Sequence, residues 1–167
     1  MTHEDITTKV EALEALIESA DYKLAETKAR ELLDLFPADD ASKNELHCRV
    51  LLALCESCWR QGLGREVFPM ANTALALAEQ LENKRLEAKA LNSLGNISSN
   101  LSENSAALEY FYRGIAASEE SGNIASIAAQ LLSIGNVYNS LSNYAKALEH
   151  YHHALARYTQ INDKLGI

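Results

Sequence analysis

Residues that interrupt helices are scarce in this chain. Its 167 residues include only 7 glycines and 2 prolines. An all-β fold makes many tight turns from these two residue types, so the composition argues against such a fold. Hydrophobic residues make up 47% of the chain and charged residues 23%, which is typical of a globular protein. We therefore predict a folded protein built from long helices.

Basic residues are outnumbered, and long hydrophobic runs are absent. The chain has 15 Lys and Arg against 23 Asp and Glu, which gives a formal charge of −8. An acidic chain repels phosphate groups, so we expect no nucleic acid partner and no binding to anionic membranes. No stretch approaches the roughly 18 apolar residues that cross a bilayer, and the N-terminal residues do not have the pattern of a signal peptide. These absences predict a cytoplasmic protein.

Cysteine is also rare, and its placement argues against disulfides and metal. Cys48, Cys55 and Cys58 lie within one predicted helix. An odd number confined to one segment is not typical of a secreted disulfide framework. One straight helix cannot surround a metal ion tetrahedrally, so we predict buried small hydrophobic residues here. For the three histidines within residues 150–153 we predict a solvated helix face, with metal capture as the alternative.

Sequence motifs of catalysis are missing as well. The chain has no glycine-rich phosphate loop, no nucleophile elbow and no His-Glu-x-x-His helix. Its carboxylates are spread over helix surfaces, where solvent screens them. We therefore expect no catalytic residue, no enzymatic activity, no cofactor and no metal site.

The feature that is clearly present is an internal repeat of 40 residues. Residues 91–97 resemble residues 131–137, and residues 107–109 recur as residues 147–149. Weaker copies of the unit precede these two. Within a unit the apolar residues recur every three or four positions, in two runs joined by a short polar link, which indicates two helices. Each helix pair leaves an apolar face that only the next pair can cover, so the units stack into a superhelix.

The repeat predicts four pairs of helices and a single all-α solenoid domain, residues 1–167. We predict helices near residues 4–19, 21–36, 43–61, 65–81, 85–101, 104–121, 124–141 and 144–160. The helix-turn-helix units then cover about 4–37, 43–82, 85–122 and 124–161. Residues 163–167 match the start of a further unit. We therefore expect an excised part of a longer array, which would form a homodimer through its uncapped C-terminal end. The alternative is a natural short chain with an unstructured tail.

Two local features refine the helix ends. Gly122 with Asn123 is expected to end its helix in a left-handed turn. Pro69 is tolerated in the first turn of a helix, which would then start near Arg65 or Glu66. Gly95 and Gly135 occupy equivalent positions in two units, and we predict that both lie at close helix crossings.

These motifs resemble the tetratricopeptide repeat family. Leu-Gly-Asn at 94–96 and Ile-Gly-Asn at 134–136 match the first-helix signature of the repeat, Tyr138 matches its aromatic residue, and residues 144–151 match its second helix. The usual unit has about 34 residues, so the 40-residue period resembles the long-unit variant found in bacterial regulatory and signalling proteins. The resemblance implies a right-handed superhelix that binds other proteins, with the first helix of each pair lining a concave groove.

The concave groove is the candidate binding surface. Its predicted contact residues are Asn92, Asn96, Asn100, Asn136, Asn139, Lys89, Trp59 and Arg60. Groove positions in the first two units also include Glu14, Glu18, Arg49 and Glu56. An asparagine amide both donates and accepts hydrogen bonds, which suits recognition of an extended peptide backbone. The alternatives are that the asparagines are merely solvated and that Trp59 packs against the next helix.

The function that this surface predicts is binding of another protein or an extended peptide. Together with the resemblance, it points to the scaffolding or sensory part of a larger bacterial regulator. The alternative is a receptor for a small peptide or metabolite that is held within the superhelix. A small ligand that saturates and raises the melting temperature would favour the receptor.

Overall fold

The computed structural model describes residues 2–36 and 44–165, and these ranges contain helices and turns but no strand. The helices are α1 (His3–Glu18), α2 (Tyr22–Leu33), α3 (Asn44–Arg60), α4 (Gly64–Gln80), α5 (Lys84–Asn100), α6 (Asn104–Glu120), α7 (Ile124–Ser140) and α8 (Tyr144–Leu165). The all-helical solenoid is therefore confirmed. The largest differences from the predicted bounds are that α2 ends earlier, at Leu33, and that α8 continues to Leu165.

The helices follow a regular period along the chain. Helices α4 to α8 begin at intervals of 20 residues, at Gly64, Lys84, Asn104, Ile124 and Tyr144. Each of α4 to α7 has 17 residues, so the turns between them have three. Two such steps make the 40-residue repeat of the sequence.

One type of turn ends these helices and starts the next. After α6, Gly122 adopts a left-handed conformation with φ of 66°, as predicted. The N–H of Asn123 donates to the carbonyl oxygen of Ser118 over 2.9 Å, and the Asn123 side chain accepts from the N–H of Ser126 to cap α7. The corresponding left-handed positions in the other turns are Ala20, Gly62, Glu82, Ser102 and Ser142.

Pro69 lies deeper in its helix than predicted. Helix α4 begins at Gly64, before Arg65 and Glu66, so Pro69 is its sixth residue and lies beyond the first turn. The helix thus begins within one residue of the predicted start, but the prediction that Pro69 lies in the first turn is wrong. Because proline has no N–H, the carbonyl of Arg65 lacks its usual donor four residues later. Arg65 is exposed, so water can satisfy that carbonyl.

Two glycines let the helices of a pair approach closely, as predicted. A Cβ atom at Gly95 would lie 2.5 Å from Cε1 of Phe111, which fills the space that a side chain would occupy. Gly135 has the same relation to Tyr151 one unit later. The aromatic ring of α6 or α8 thus packs directly on the backbone of its partner helix.

A buried polar cluster lies between α6 and α7. Gln130 is fully buried, and its Nε2 donates to the hydroxyl oxygens of Ser118 (3.0 Å) and Ser126 (3.1 Å). A Cβ at Gly114 would overlap the Gln130 amide, so this glycine makes room for it. Oε1 of Gln130 has no hydrogen-bond partner among the described residues.

The odd-numbered helices form the inner row of the solenoid. Pairs of Cα atoms lie within 8 Å between α1 and α3, between α3 and α5, and between α5 and α7, whereas no two successive even-numbered helices approach so closely within the described ranges. The inner row is therefore shorter than the outer row, and its free face is concave.

None of the helices in the described ranges is both long and apolar enough to cross a membrane.

Candidate functional site

A cavity of about 640 Å³ lies on the concave face. It crosses the inner helices diagonally, from residues 14–18 at the end of α1, over residues 49–60 of α3 and residues 86–93 of α5, to residues 123–126 at the start of α7. A progressive shift of this kind follows from the twist between stacked helix pairs. The volume lies within the range that small ligands and peptide segments occupy in proteins.

Opposite charges are balanced in the cavity wall, although the whole chain is acidic. The wall contains three carboxylates and three cations, Glu14, Glu18, Glu56, Arg49, Arg60 and Lys89. Arg49 forms a bidentate ion pair with Glu14, with Nε–Oε1 and Nη2–Oε2 distances of 2.9 and 2.6 Å. These hydrogen bonds raise the pKa of Arg49 and tie α3 to α1. The pair is half-buried and builds the groove wall.

Arg60 is held at the edge of the cavity by aromatic rings. Its guanidinium carbon lies 4.4 Å from the centre of the Trp59 ring and 5.7 Å from that of Tyr22, and Nη2 lies 3.4 Å from Oε1 of Glu56. Such cation–π contacts restrict where the guanidinium can lie. The Trp59 side chain is half-buried and packs against the core. Arg60 is thus positioned before any ligand arrives.

Three polar groups in the cavity wall have donors or acceptors that no described residue satisfies. Neither Lys89 nor Glu18 has an ion-pair or hydrogen-bond partner among the described residues. The Oδ1 atom of Asn92 is buried and also lacks a hydrogen-bond partner there. A buried acceptor without a donor costs about 1–3 kcal/mol, so a ligand that donates to it is favoured.

The structure places the other predicted groove residues outside the cavity. These are Asn96, Asn100, Asn136, Asn139 and Trp59. Nδ2 of Asn100 donates to the carbonyl oxygen of Trp59 over 3.2 Å, and Oδ1 of Asn136 accepts from the Tyr151 hydroxyl over 2.8 Å. Asn139 is exposed and Asn96 is half-buried. All four asparagines lie late in α5 or α7, whereas the cavity uses the early part of these helices.

Some cavity residues come from helix ends that helical periodicity does not reveal. Tyr22 begins α2, and Asn123 and Ser126 flank the start of α7. Glu14, Glu18, Arg49 and Glu56 do lie in the wall, at positions where the repeat register puts the groove. In the sequence, the only indication of a polar residue at the start of α7 is Asn123, because asparagine is a common N-cap residue.

The cysteines are buried and unpaired, as predicted. Burial raises the pKa of the Cys48 and Cys55 thiols to about 12 and that of Cys58 to about 11. The thiolate fraction at about pH 8 is therefore very small, and the sulfur atoms are inaccessible.

We expect a soluble disulfide reagent to modify all three cysteines only after denaturation. A thiol that reacts within minutes in the native protein would contradict this packing.

The histidines near the end of the chain do not share one environment. His152 and His153 are exposed, as predicted, but His150 is half-buried. Its ring stacks on Tyr138 with centroids 5.5 Å apart, and Nε2 lies 3.4 Å from the Tyr112 hydroxyl. Burial lowers the pKa of His150. No group of three or more His, Cys, Asp or Glu side chains in the described ranges is placed to hold a metal ion.

Comparisons with known proteins agree with this architecture. A tetratricopeptide repeat profile matches residues 127–163. Aspartyl phosphate phosphatase F from Bacillus subtilis superposes with a TM-score of 0.80 at 19% identity, over 96% of this chain and 42% of its own. A Rap protein complexed with Competence and Sporulation Factor also gives 0.80 at 19% identity, over 98% and 46% of the two chains.

A shorter protein shows the same fold over nearly its whole length. The TPR domain of Arabidopsis FLU superposes with a TM-score of 0.64 at 21% identity, over 70% of this chain and 98% of its own. No curated protein matches the chain by sequence. The chain spans less than half of the length of the phosphatase and the Rap protein. The repeat match and these structures together identify the chain as a tetratricopeptide-like helical repeat protein.

Proposed function

We propose that the concave cavity binds an extended peptide segment of a partner protein. The observation that carries this proposal is the Oδ1 atom of Asn92, which is buried without a hydrogen-bond partner among the described residues, in a cavity that Lys89 also lines. A peptide N–H group donates to such an oxygen. Glu18 and Lys89 offer unpaired charges of opposite sign, so a segment that carries both a basic and an acidic group fits the wall.

The role proposed here is binding rather than catalysis, within a larger regulatory protein. The likeness to the phosphatase and to the Rap protein shows a shared fold, since the sequences are only 19% identical. The signalling context is part of the proposal. The cavity residues form pairs and single charges suited to recognition. The second candidate is a receptor for a small peptide or metabolite, and the cavity volume of about 640 Å³ favours it as an alternative occupant.

The proposal is tested by binding measurements on variants of the wall. Peptides of about 12 residues, roughly 40 Å long when extended, are screened on an array, and the best binder is used as the probe. Asn92→Ala is expected to weaken binding about tenfold, or about 1.4 kcal/mol, because the peptide loses a buried hydrogen bond. Lys89→Glu should weaken it further for probes with an acidic residue, as measured by fluorescence anisotropy.

The matched control is Asn139→Ala, which changes an exposed asparagine outside the cavity. It should leave the affinity unchanged. Weaker binding by Asn139→Ala with normal binding by Asn92→Ala would place the peptide on the later parts of α5 and α7 instead. If no peptide binds but a metabolite mixture raises the melting temperature of the wild type and not of Asn92→Ala, the receptor is the correct function.

A further inference from the structure

The buried polar cluster between α6 and α7 reaches the wall of the cavity. Ser126 lines the cavity, whereas Ser118 and Gln130 behind it are fully buried. Nε2 of Gln130 donates to the hydroxyl oxygens of both serines, and these two oxygens lie 2.8 Å apart. A buried network therefore holds one side chain that a bound molecule can reach.

The equivalent interface one unit earlier is apolar at all of these positions. Shifting the cluster back by 40 residues takes Gly114, Ser118, Ser126 and Gln130 to Ala74, Ala78, Leu86 and Ala90. Those four residues all lie in the hydrophobic core between α4 and its neighbours. Leu86 also lines the cavity, as Ser126 does. Close packing of two successive helices in this fold thus does not require the polar cluster.

The cluster is also unfavourable for stability. Oε1 of Gln130 is buried without a hydrogen-bond partner among the described residues, and a buried acceptor without a donor costs free energy. Gly114, which leaves room for the amide, destabilises a helix interior relative to alanine. Local departures from the rules of stable packing are typical of functional sites. The cluster is therefore better explained by the residue that it holds at the cavity than by packing.

The hydroxyl group of Ser126 has a hydrogen to donate. The Ser118 hydroxyl oxygen lies 2.8 Å from two acceptors, the carbonyl oxygen of Gly114 and Oγ of Ser126. When Ser118 donates to Ser126, both lone pairs of Ser126 Oγ are occupied, one by Ser118 and one by Gln130. The hydrogen of Ser126 then has no acceptor left in the cluster. A ligand in the cavity can accept this hydrogen while Gln130 and Ser118 keep their bonds to Ser126.

We propose that the Ser126 hydroxyl donates to an oxygen acceptor of the peptide bound in the cavity, and that Gln130 is a positioning residue that holds this hydroxyl. This inference rests on the proposed function. Oδ1 of Asn92 in the same wall accepts a hydrogen bond and Ser126 supplies a donor, so the wall complements both the N–H and the C=O of a peptide. The acceptor is a backbone carbonyl or a carboxylate oxygen.

The test is a double-mutant cycle, measured by fluorescence anisotropy with the best binder from the peptide array as the probe. Ser126→Ala is expected to weaken binding about fivefold, because one hydrogen bond to the peptide is lost. Gln130→Met should weaken binding about threefold although Gln130 does not line the cavity, because the hydroxyl is no longer held. In the double variant, Gln130→Met should add nothing to the effect of Ser126→Ala, because Gln130 acts only through Ser126.

The matched control is Ser121→Ala, in the turn between α6 and α7. Ser121 is exposed, lies outside the cavity and donates to the carbonyl oxygen of Ser118, so its loss should leave the affinity unchanged. Thermal unfolding of every variant, followed by circular dichroism, sets a temperature at which all are folded. If the two effects in the cycle multiply, Gln130 acts by packing, and if Ser126→Ala binds normally, the hydroxyl does not contact the peptide. Either result overturns the proposal.

Asn92→Ala separates this inference from the proposed function. If Asn92→Ala weakens binding and Ser126→Ala does not, the peptide site stands and the role of Ser126 is wrong. If neither variant changes the affinity, the cavity is not the site and both proposals fail. A second probe, with Asn and Gln in place of Asp and Glu and an amidated C-terminus, identifies the acceptor. An unchanged effect of Ser126→Ala on this probe indicates a backbone carbonyl, and a lost effect indicates a carboxylate.

Discussion

Replacing Gly95 with leucine is expected to lower the free energy of unfolding by about 3 kcal/mol, near the upper end of the usual cost of overpacking. Even a single Cβ atom at this position would lie 2.5 Å from Cε1 of Phe111. The Phe111 ring is fully buried, so it cannot turn into solvent to make room. The helices must therefore separate, which exposes part of the core. Urea unfolding monitored by circular dichroism measures the change.

Gly135→Leu provides the matched control, because the same glycine position recurs one unit later. The ring that covers Gly135 is Tyr151, which is half-buried and can rotate outward after losing its hydrogen bond to Asn136. We expect a cost of about 1 kcal/mol there. Equal costs at the two positions would show that burial of the covering ring does not decide the effect. A Gly95→Leu variant with wild-type stability would contradict the packing of Phe111 on α5.

The fold could be predicted because a few residues recur at a fixed spacing. Gly95 and Phe111 recur as Gly135 and Tyr151, so one local packing rule repeats in two units. Once the helices and their order were predicted, a stack followed, because each helix pair has an apolar face that the next pair covers. Pro69 misled the prediction because helix rules place proline in the first turn, whereas here it lies in the second turn, on the exposed side of α4.

The position of the cavity could not be predicted from the same periodicity. A repeat register shows which face of each helix is concave, but not how far the groove shifts from one helix to the next. That shift depends on the twist between pairs, which is a sum of many small packing differences. Because of this shift, Asn96 and Asn136 lie outside the cavity, whereas Tyr22 and Asn123 line it. The bond from Tyr151 to Asn136 likewise depends on the closeness of α7 and α8.

Gln130→Glu is expected to make stability strongly dependent on pH. Gln130 is fully buried between α6 and α7, and burial raises the pKa of a carboxyl group above its unfolded value of about 4.3. Between these two pKa values the folded variant binds more protons than the unfolded one. Stability must then fall as the pH rises, by about 1.4 kcal/mol per unit, until the folded pKa is passed.

The measurement is the difference in unfolding free energy between Gln130→Glu and the wild type, because all other titrating groups cancel in that difference. From about pH 5.5 to about pH 7.5 it should grow by up to roughly 3 kcal/mol. Gln130→Met, which fills the same space without charge, should show a penalty that is independent of pH, because it removes only the bonds to Ser118 and Ser126. If the Glu variant were equally independent of pH, water would have to reach position 130, and the interface between α6 and α7 would not be closed.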